Sequence, residues 1–182
     1  GESYRVGLVA DIARHGHGLA VDGRFEVAHA LGVRGVATSG WRGRSFSLGI
    51  ADSVTVLARD AATADAAATM IANAVNAEHH AIVRARACDV ADDADLGERL
   101  VTRDVPPLPA PVVDAALDRG AAHAERLRAA GVIHAAALML QRRHRWVSAG
   151  DAPPAIAGTE YRSSLYCGGV LPSPQPLGSH QR

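Results

Sequence analysis

Alternating and short apolar runs predict β-strands at several places along the chain. The clearest is residues 53–59 (Ser-Val-Thr-Val-Leu-Ala-Arg), because β-branched residues pack well on a pleated surface. A nearly unbroken apolar run over residues 132–140 is followed by the basic tip Arg142-Arg143-His144, which predicts a hairpin with residues 145–148. Shorter strands are predicted at residues 4–10 and 24–31, and residues 35–38 start a short element that breaks into a segment rich in Ser, Gly and Arg.

Two longer segments have the pattern of α-helices. Residues 61–76 contain neither Gly nor Pro, and Asp60 can cap their N-terminus. Pro111 opens a second helix that extends to residue 131 and keeps one apolar stripe, although Gly120 weakens its middle. Strands and helices are therefore mixed, and the terminal hairpin favours an α+β fold over a regular βαβ series.

The first helix is small and apolar almost all round, which predicts that it is buried. At about 100° per residue, its polar side chains Asp65, Thr69, Asn73 and Asn76 fall on one face. Two interpretations stay open. The stripe forms hydrogen bonds with neighbouring loops, or Asp65 and Thr69 supply oxygen ligands to a hard cation such as Mg²⁺ or to a ligand phosphate.

Residues 38–47 have the composition of an anion-binding loop. Glycines let the backbone approach a ligand, hydroxyls donate hydrogen bonds, and arginines contact phosphate or carboxylate through two nitrogens. Trp41 and Phe46 could stack on a ring, and Asp52 is a supporting acidic residue that could face the arginines. The predicted ligand-binding residues are Thr38, Ser39, Gly40, Arg42, Gly43, Arg44, Ser45 and Ser47.

The composition narrows the classes of partner. The 19 basic residues, all Arg, balance 19 acidic residues, so nothing marks a nucleic acid or acidic membrane as a partner. Two cysteines are too few for a disulfide framework, and no apolar run approaches the roughly 20 residues that cross a bilayer. We expect a cytoplasmic protein with a single α+β domain over residues 1–149 and a tail rich in Pro, Gly and Ser over residues 150–182.

Other polar groups are interpreted as solvated or structural. His15 and His17 flank a glycine in a predicted turn. His79 and His80 follow the first helix, where imidazolium suits the C-terminal end of the helix dipole. The acidic run over residues 89–95 lacks the glycine turn and distal Glu of a calcium loop.

Three landmarks, in order, carry a family resemblance: Thr38-Ser39-Gly40, the Ser-Val-Thr-Val of residues 53–56, and the Ala-Asp-Ala-Ala-Ala-Thr of residues 64–69. They resemble the ApbE-like FAD:protein FMN transferases. The resemblance is closer to the ApbE-like UPF0280 subgroup, which has no assigned activity. It implies a T-fold-like mixed or antiparallel sheet packed with helices, FAD or a related nucleotide as ligand, and Mg²⁺ held at Asp65 and Thr69.

Two departures from the transferase pattern keep a second hypothesis open. The transferases carry a His and an Asp-Pro between the first two landmarks, and residues 40–53 contain neither. They also have sequence before the equivalent of Tyr4 that is expected to line the same pocket. We expect that either a companion chain supplies this sequence or the present chain does not form the whole site. The chain is then either a ligand-binding domain with transferase or hydrolase activity, or a non-catalytic partner or assembly factor. Its Ala-rich helices and apolar strand would suit a homodimer.

Overall fold

The computed structural model describes residues 3–8 and 23–149. The predicted turn with His15 and His17, and the predicted tail, lie outside these residues. The strands are β1 (Ser3–Leu8), β2 (Gly23–Ala28), β3 (Gly35–Ser39), β4 (Ser53–Ala58), β5 (Val83–Arg86), β6 (Leu100–Asp104), β7 (Ala135–Leu140) and β8 (Arg143–Val147). The helices are α1 (Ala61–Ala74), α2 (Ala87–Val90) and α3 (Ala110–Ala129), and a 3₁₀ turn covers His29–Leu31.

Strand β4 is the centre of the fold. All six of its residues are buried, because it lies between β3 and β7 in an antiparallel sheet of order β3-β4-β7-β8. Alternate side chains such as Val54 and its partner Leu138 point to one face, where they join a core with α1 and α3. This antiparallel sheet packed with helices confirms the predicted α+β class.

Smaller parts complete the described structure. Strands β1 and β2 pair with each other, as do β5 and β6. The second face of the four-stranded sheet has a smaller cluster, in which Val27 of β2 meets Val33, Leu57 and Ala137. Among the described residues, neither long helix combines the length and the apolar character that crossing a membrane requires.

The sequence pattern missed β5, α2 and β6. Strand β5 has only four residues and β6 only five, so neither is long enough for its apolar and polar pattern to indicate a strand. The two strands are stabilised by pairing with each other, from Arg86 opposite Leu100 to Val83 opposite Asp104. Such pairing is a non-local contact that local periodicity does not report.

The predicted hairpin is present, but its boundaries were wrong. The turn is formed by Gln141 and Arg142, both with positive φ, and β8 begins at Arg143 rather than Arg145. Arginine extends the strand here because α3 places carboxylates opposite it. Arg143 donates to Asp114 at 2.6 and 2.8 Å, and Arg145 donates to Asp118 at 2.8 Å.

The expectation that α1 is buried all round was wrong. Its buried side chains are Ala64, Ala67, Ala68, Ile71 and Ala72, which face the sheet and α3. The opposite side is exposed, and Met70 keeps 51 % of its accessible surface. Alanine has so little side-chain surface that leaving it in water costs little, so an Ala-rich sequence does not require burial on every side.

The predicted cap of α1 is confirmed. Oδ1 of Asp60 accepts a hydrogen bond from the backbone N–H of Thr63 at 2.7 Å. This bond lowers the pKa of Asp60 below its ordinary value, because it favours the charged carboxylate. The start of α1, and thus the direction in which it leaves β4, is therefore fixed by a local interaction.

Gly120 has a packing role in the middle of α3. A Cβ at this position would overlap the side chain of Val75, at the end of α1, and the side chain of Leu138 in β7. The missing side chain lets α3 approach both elements, so the close packing offsets the low helix propensity of glycine.

We expect Gly120→Ala to lower the free energy of unfolding by about 1–3 kcal/mol, because the added methyl group overpacks the contact with Val75 and Leu138. Urea unfolding of the full chain measures the change. The matched control is Ala122→Gly, an exposed position of the same helix, which should cost about 1 kcal/mol from helix propensity alone. A Gly120→Ala chain more stable than wild type would show that the packing is loose.

The second prediction concerns how the stabilising effect of Asp114 depends on pH. Hydrogen bonds from Arg143 lower the pKa of Asp114 from its ordinary value of 3.8. Its stabilising effect is therefore present above that value and is lost as the pH falls through the lowered pKa. Asp114→Asn should reduce the melting temperature near neutral pH, and the difference from wild type should shrink below about pH 4. Melting curves across this range test it.

Salt provides the control for the Asp114 experiment. The ion pairs with Arg143 and Arg145 lie at the surface, so about 1 M NaCl should reduce the difference between wild type and variant near neutral pH. A difference that grows on acidification would contradict the prediction.

Candidate functional site

Residues 40–52 form a closed loop between β3 and β4. The backbone N–H of Trp41 donates to the carbonyl of Ala51 at 3.0 Å, which joins the two ends of the loop. Within the first turn, the N–H of Gly43 donates to the carbonyl of Gly40 at 3.0 Å. The predicted anion-binding segment thus begins on β3 and continues into a loop with a defined base.

The second half of the loop is bound to the end of α1. Oδ1 of Asn73 accepts the backbone N–H of Leu48 at 2.9 Å, and Nδ2 of Asn76 donates to the carbonyl of Leu48 at 3.1 Å. The N–H of Ile50 donates to the carbonyl of Val75 at 2.8 Å. Gly49 permits this approach, since a Cβ there would overlap the carbonyl of residue 72.

These contacts describe one half of the polar stripe on α1. Asn73 of α1 forms a hydrogen bond with the neighbouring loop, as the first of the two open interpretations expected. The helix ends at Ala74 rather than at residue 76 as predicted, so Asn76 bonds to the same loop from two residues beyond the helix. Ser47, buried at the end of the predicted ligand segment, lies 3.3 Å from Oδ1 of Asn73 through its hydroxyl. The loop and the stripe therefore meet at Ser47 and Asn73.

The first half of the loop is open to solvent. Gly43, Arg44 and Ser45 are exposed. Trp41 is half-buried against the main core, and the guanidinium of Arg42 lies over its ring, 4.5 Å from the centroid. The tip of the loop, residues 42–45, is therefore cationic and exposed, whereas the base and the second half of the loop are held by hydrogen bonds.

Asp52, at the end of the loop, contacts both residues of this stack. Its Oδ1 accepts from Nε1 of Trp41 at 3.3 Å and from Nε of Arg42 at 3.4 Å. Its Oδ2 accepts the backbone N–H of Gln141 at 2.6 Å. The carboxylate is only 14 % exposed and lies among donors from three positions.

Gln141 was not found by sequence reasoning. It follows the apolar run of β7 and has no motif around it; only its polarity at the end of that run distinguishes it. Its side chain binds the segment before α3: Oε1 accepts the N–H of Leu108 at 2.9 Å, and Nε2 donates to the carbonyl of Pro106 at 2.7 Å.

Asp65 and Thr69 lie on the exposed side of α1. Spaced four residues apart, they continue the face that carries Asn73 towards the N-terminus of the helix. Within the described residues, no hydrogen bond joins either of them to the loop. Thr38 is also exposed, and its hydroxyl lies 2.8 Å from that of Thr55 in the neighbouring strand.

The histidines and acidic residues in the described part of the chain are side chains of the kind that a metal site requires. No group of three or more His, Cys, Asp or Glu side chains in this part of the chain is arranged to hold a metal ion. His79 and His80 stack on each other, with ring centroids 4.4 Å apart. In the acidic run, Asp89 pairs with Arg86 at 2.8 Å, which lowers the pKa of the carboxyl.

A surface cavity of about 540 Å³ lies between the end of α1 and the first half of α3. Val112 and Ala115 contribute apolar wall, while Glu78 and Arg119 supply charge. Arg119 donates two hydrogen bonds, at 2.6 and 3.0 Å, to the carbonyl of Asn76. Sequence reasoning missed this cavity, because its walls come from segments distant along the chain.

Comparisons with known proteins place these features in a family. A family model described as "AbpE bacteria" matches residues 1–151. A UPF0280 protein of Methanothermobacter thermautotrophicus is 52 % identical over 63 residues, which are 34 % of this chain and 25 % of that protein. A UPF0280 protein of Methanopyrus kandleri is 45 % identical over 69 residues, which are 38 % of this chain and 28 % of that protein.

The match spans about a quarter of the length of these two curated relatives. No solved structure matches the chain. The family model, in contrast, covers the whole of the described structure, including the three landmarks that carried the resemblance. The chain therefore belongs to the AbpE bacteria family of ApbE-like proteins, with UPF0280 proteins among its partial homologues.

Proposed function

We propose that this chain binds a phosphate-bearing ligand, flavin- or nucleotide-like, at the segment from Thr38 to Ser47. The observation that carries the proposal is the loop itself. Its base and second half are held by hydrogen bonds to Ala51, Asn73 and Asn76, while its tip with Arg44 stays exposed. A loop ordered before binding loses less conformational entropy when an anion arrives.

Arginine is the appropriate cation for this role. Its planar guanidinium donates paired hydrogen bonds to two oxygens of a phosphate, and Arg42 and Arg44 lie two residues apart on the loop. The exposed hydroxyl of Ser45 adds a donor of the kind that surrounds bound phosphates. Family membership supports a flavin nucleotide as the first ligand to test.

A divalent cation would be held at Asp65 and Thr69. Together they offer one carboxylate and one hydroxyl, on one exposed helix face that leads to Asn73 and the loop. Two protein oxygens fit Mg²⁺, which commonly uses one or two carboxylates and completes its shell with ligand phosphates and water. When bound, the ion would neutralise phosphate charge; Asp65 and Thr69 would fix its position on the helix.

A second candidate function is that of a non-catalytic partner or assembly factor. Residues 40–53 contain no His, and the carboxylate they do contain, Asp52, accepts hydrogen bonds from Trp41, Arg42 and Gln141. The loop therefore brings no evident general base to the ligand. If the protein is an enzyme, we propose transfer or hydrolysis at a phosphate centre, with a companion chain or a second copy of this chain completing the site.

The binding proposal predicts the behaviour of loop and helix variants. Titration of the full chain with FAD, with Mg²⁺ present, should give saturable binding. Arg44→Ala should weaken it about tenfold through loss of a charged hydrogen bond. Asp65→Asn and Thr69→Ala should weaken binding in Mg²⁺ but not in excess chelator. Isothermal calorimetry measures each affinity.

The matched control is Arg103→Ala, which removes an exposed arginine of β6 and should leave the affinity unchanged. If Asp65→Asn and Thr69→Ala bind FAD as wild type does in Mg²⁺, the assigned cation position is wrong. Equal losses in Arg44→Ala and Arg103→Ala would point to attraction by net charge rather than a site.

Native mass spectrometry separates the two candidate functions. For freshly purified chain we expect a mass above a whole multiple of the polypeptide, with the excess equal to a flavin or nucleotide and absent under denaturing conditions. The physical reason is that a phosphate ligand held by several charged hydrogen bonds survives purification. Whole multiples alone would favour the non-catalytic partner, and an excess of polypeptide size would identify a companion chain.

A further inference from the structure

We propose that Asp52 is a positioning residue that holds Arg42 over Trp41 and so sets the direction in which the loop presents its cation. The ligand side of this inference rests on the proposed function; the positioning itself does not. It also changes the role of Asp52 from the supporting acidic group expected from sequence to the link between the loop and the β7–β8 turn.

The first argument is how the carboxylate is used. Oδ1 accepts from the indole of Trp41 and from Nε of Arg42, at 3.3 and 3.4 Å, and Oδ2 accepts the N–H of Gln141 at 2.6 Å. Each oxygen is thus committed to protein donors in a position that is 14 % exposed. A metal ion or ligand cation at Asp52 would have to displace these donors.

The second argument is that Asp52 is itself held by β7 and by the turn that follows it. Its backbone N–H donates to the carbonyl of Met139 at 3.0 Å, just before the turn. Gln141, which donates to its carboxylate, adopts φ of 46°, a left-handed conformation that is uncommon for a residue with a side chain. Bonds from the Gln141 side chain to Pro106 and Leu108 keep it there.

The consequence concerns what the loop recognises. One face of the Trp41 ring is covered by the Arg42 guanidinium, so the pair forms a stacked indole and cation rather than an open aromatic surface. A guanidinium restrained at Nε has less rotational freedom to lose when it binds an oxyanion. At Trp41 and Arg42 the loop therefore fits the phosphate end of a nucleotide-like ligand better than its ring.

The first test needs no ligand. The chain has two tryptophans, Trp41 and Trp146, so its indole N–H resonances can be assigned with Trp41→Phe. In Asp52→Asn the charge that holds Arg42 is lost and an amide group replaces one acceptor oxygen. We expect the Trp41 resonance to shift while that of Trp146 stays in place. Asp93→Asn, at an exposed aspartate outside this network, is the control. An unchanged Trp41 resonance overturns the proposal.

A second variant covers the case in which Asp52→Asn does not fold. Gln141→Asn keeps the backbone N–H and tolerates the left-handed conformation, but its side chain is one methylene shorter and cannot span the bonds to Pro106 and Leu108. It should shift the same Trp41 resonance. No shift in this variant contradicts the link between the turn and the loop.

The third experiment measures coupling, with inorganic pyrophosphate and FAD as probes in Mg²⁺. Asp52→Asn should weaken both about tenfold, and this loss should largely vanish in an Arg42→Ala background, because Asp52 acts through Arg42. An equal loss in both backgrounds would overturn the proposal and indicate a general effect on the fold. If wild type binds neither probe, the proposed function fails, and the resonance of Trp41 alone decides the positioning role.

Discussion

The close approach of α1 to β4 is the constraint on which the rest of the described structure depends. Four of the five buried side chains of α1 are alanines, at positions 64, 67, 68 and 72, and the strand that the helix covers is buried at all six residues. Glycine permits close packing at two further places. Gly49 lets the loop approach the end of α1, and Gly120 lets α3 approach Val75 and Leu138. With few aromatic residues, the core is closed by short distances rather than by large side chains.

This packing decides the two faces of the candidate site. Because alanine fills the inner side of α1, its polar residues are left away from the core, where Asp65 and Thr69 are exposed and Asn73 meets the loop. Asn76, just beyond the end of the helix, binds the same loop. The loop is in turn fixed at the sheet by Asp52 and Gln141. Phosphate binding is inferred from a loop with an exposed arginine whose base and second half are held in place, bound to the helix that also carries an exposed carboxylate and hydroxyl.

Local signals predicted the central elements well. The alternation of residues 53–59 gave β4, and Asp60 with the uninterrupted segment after it gave the start of α1. The three landmarks from Thr38 to Thr69 predicted the family, because their residues and their order can be read directly from the sequence. The pattern failed for β5 and β6, whose pairing is non-local, and for the burial of α1, since apolar composition alone does not say which side is covered.

By itself, therefore, the sequence determined which chemistry the site can offer: hydroxyls, glycines and arginines in one segment, and a carboxylate and a hydroxyl one helical turn apart on α1. Only the tertiary structure decided which of these groups meet. Asp52 and Gln141 are 89 positions apart, and no local pattern announces a hydrogen bond between them. Local propensity acts over a few residues, whereas the partners of a side chain are chosen by packing across the whole sheet.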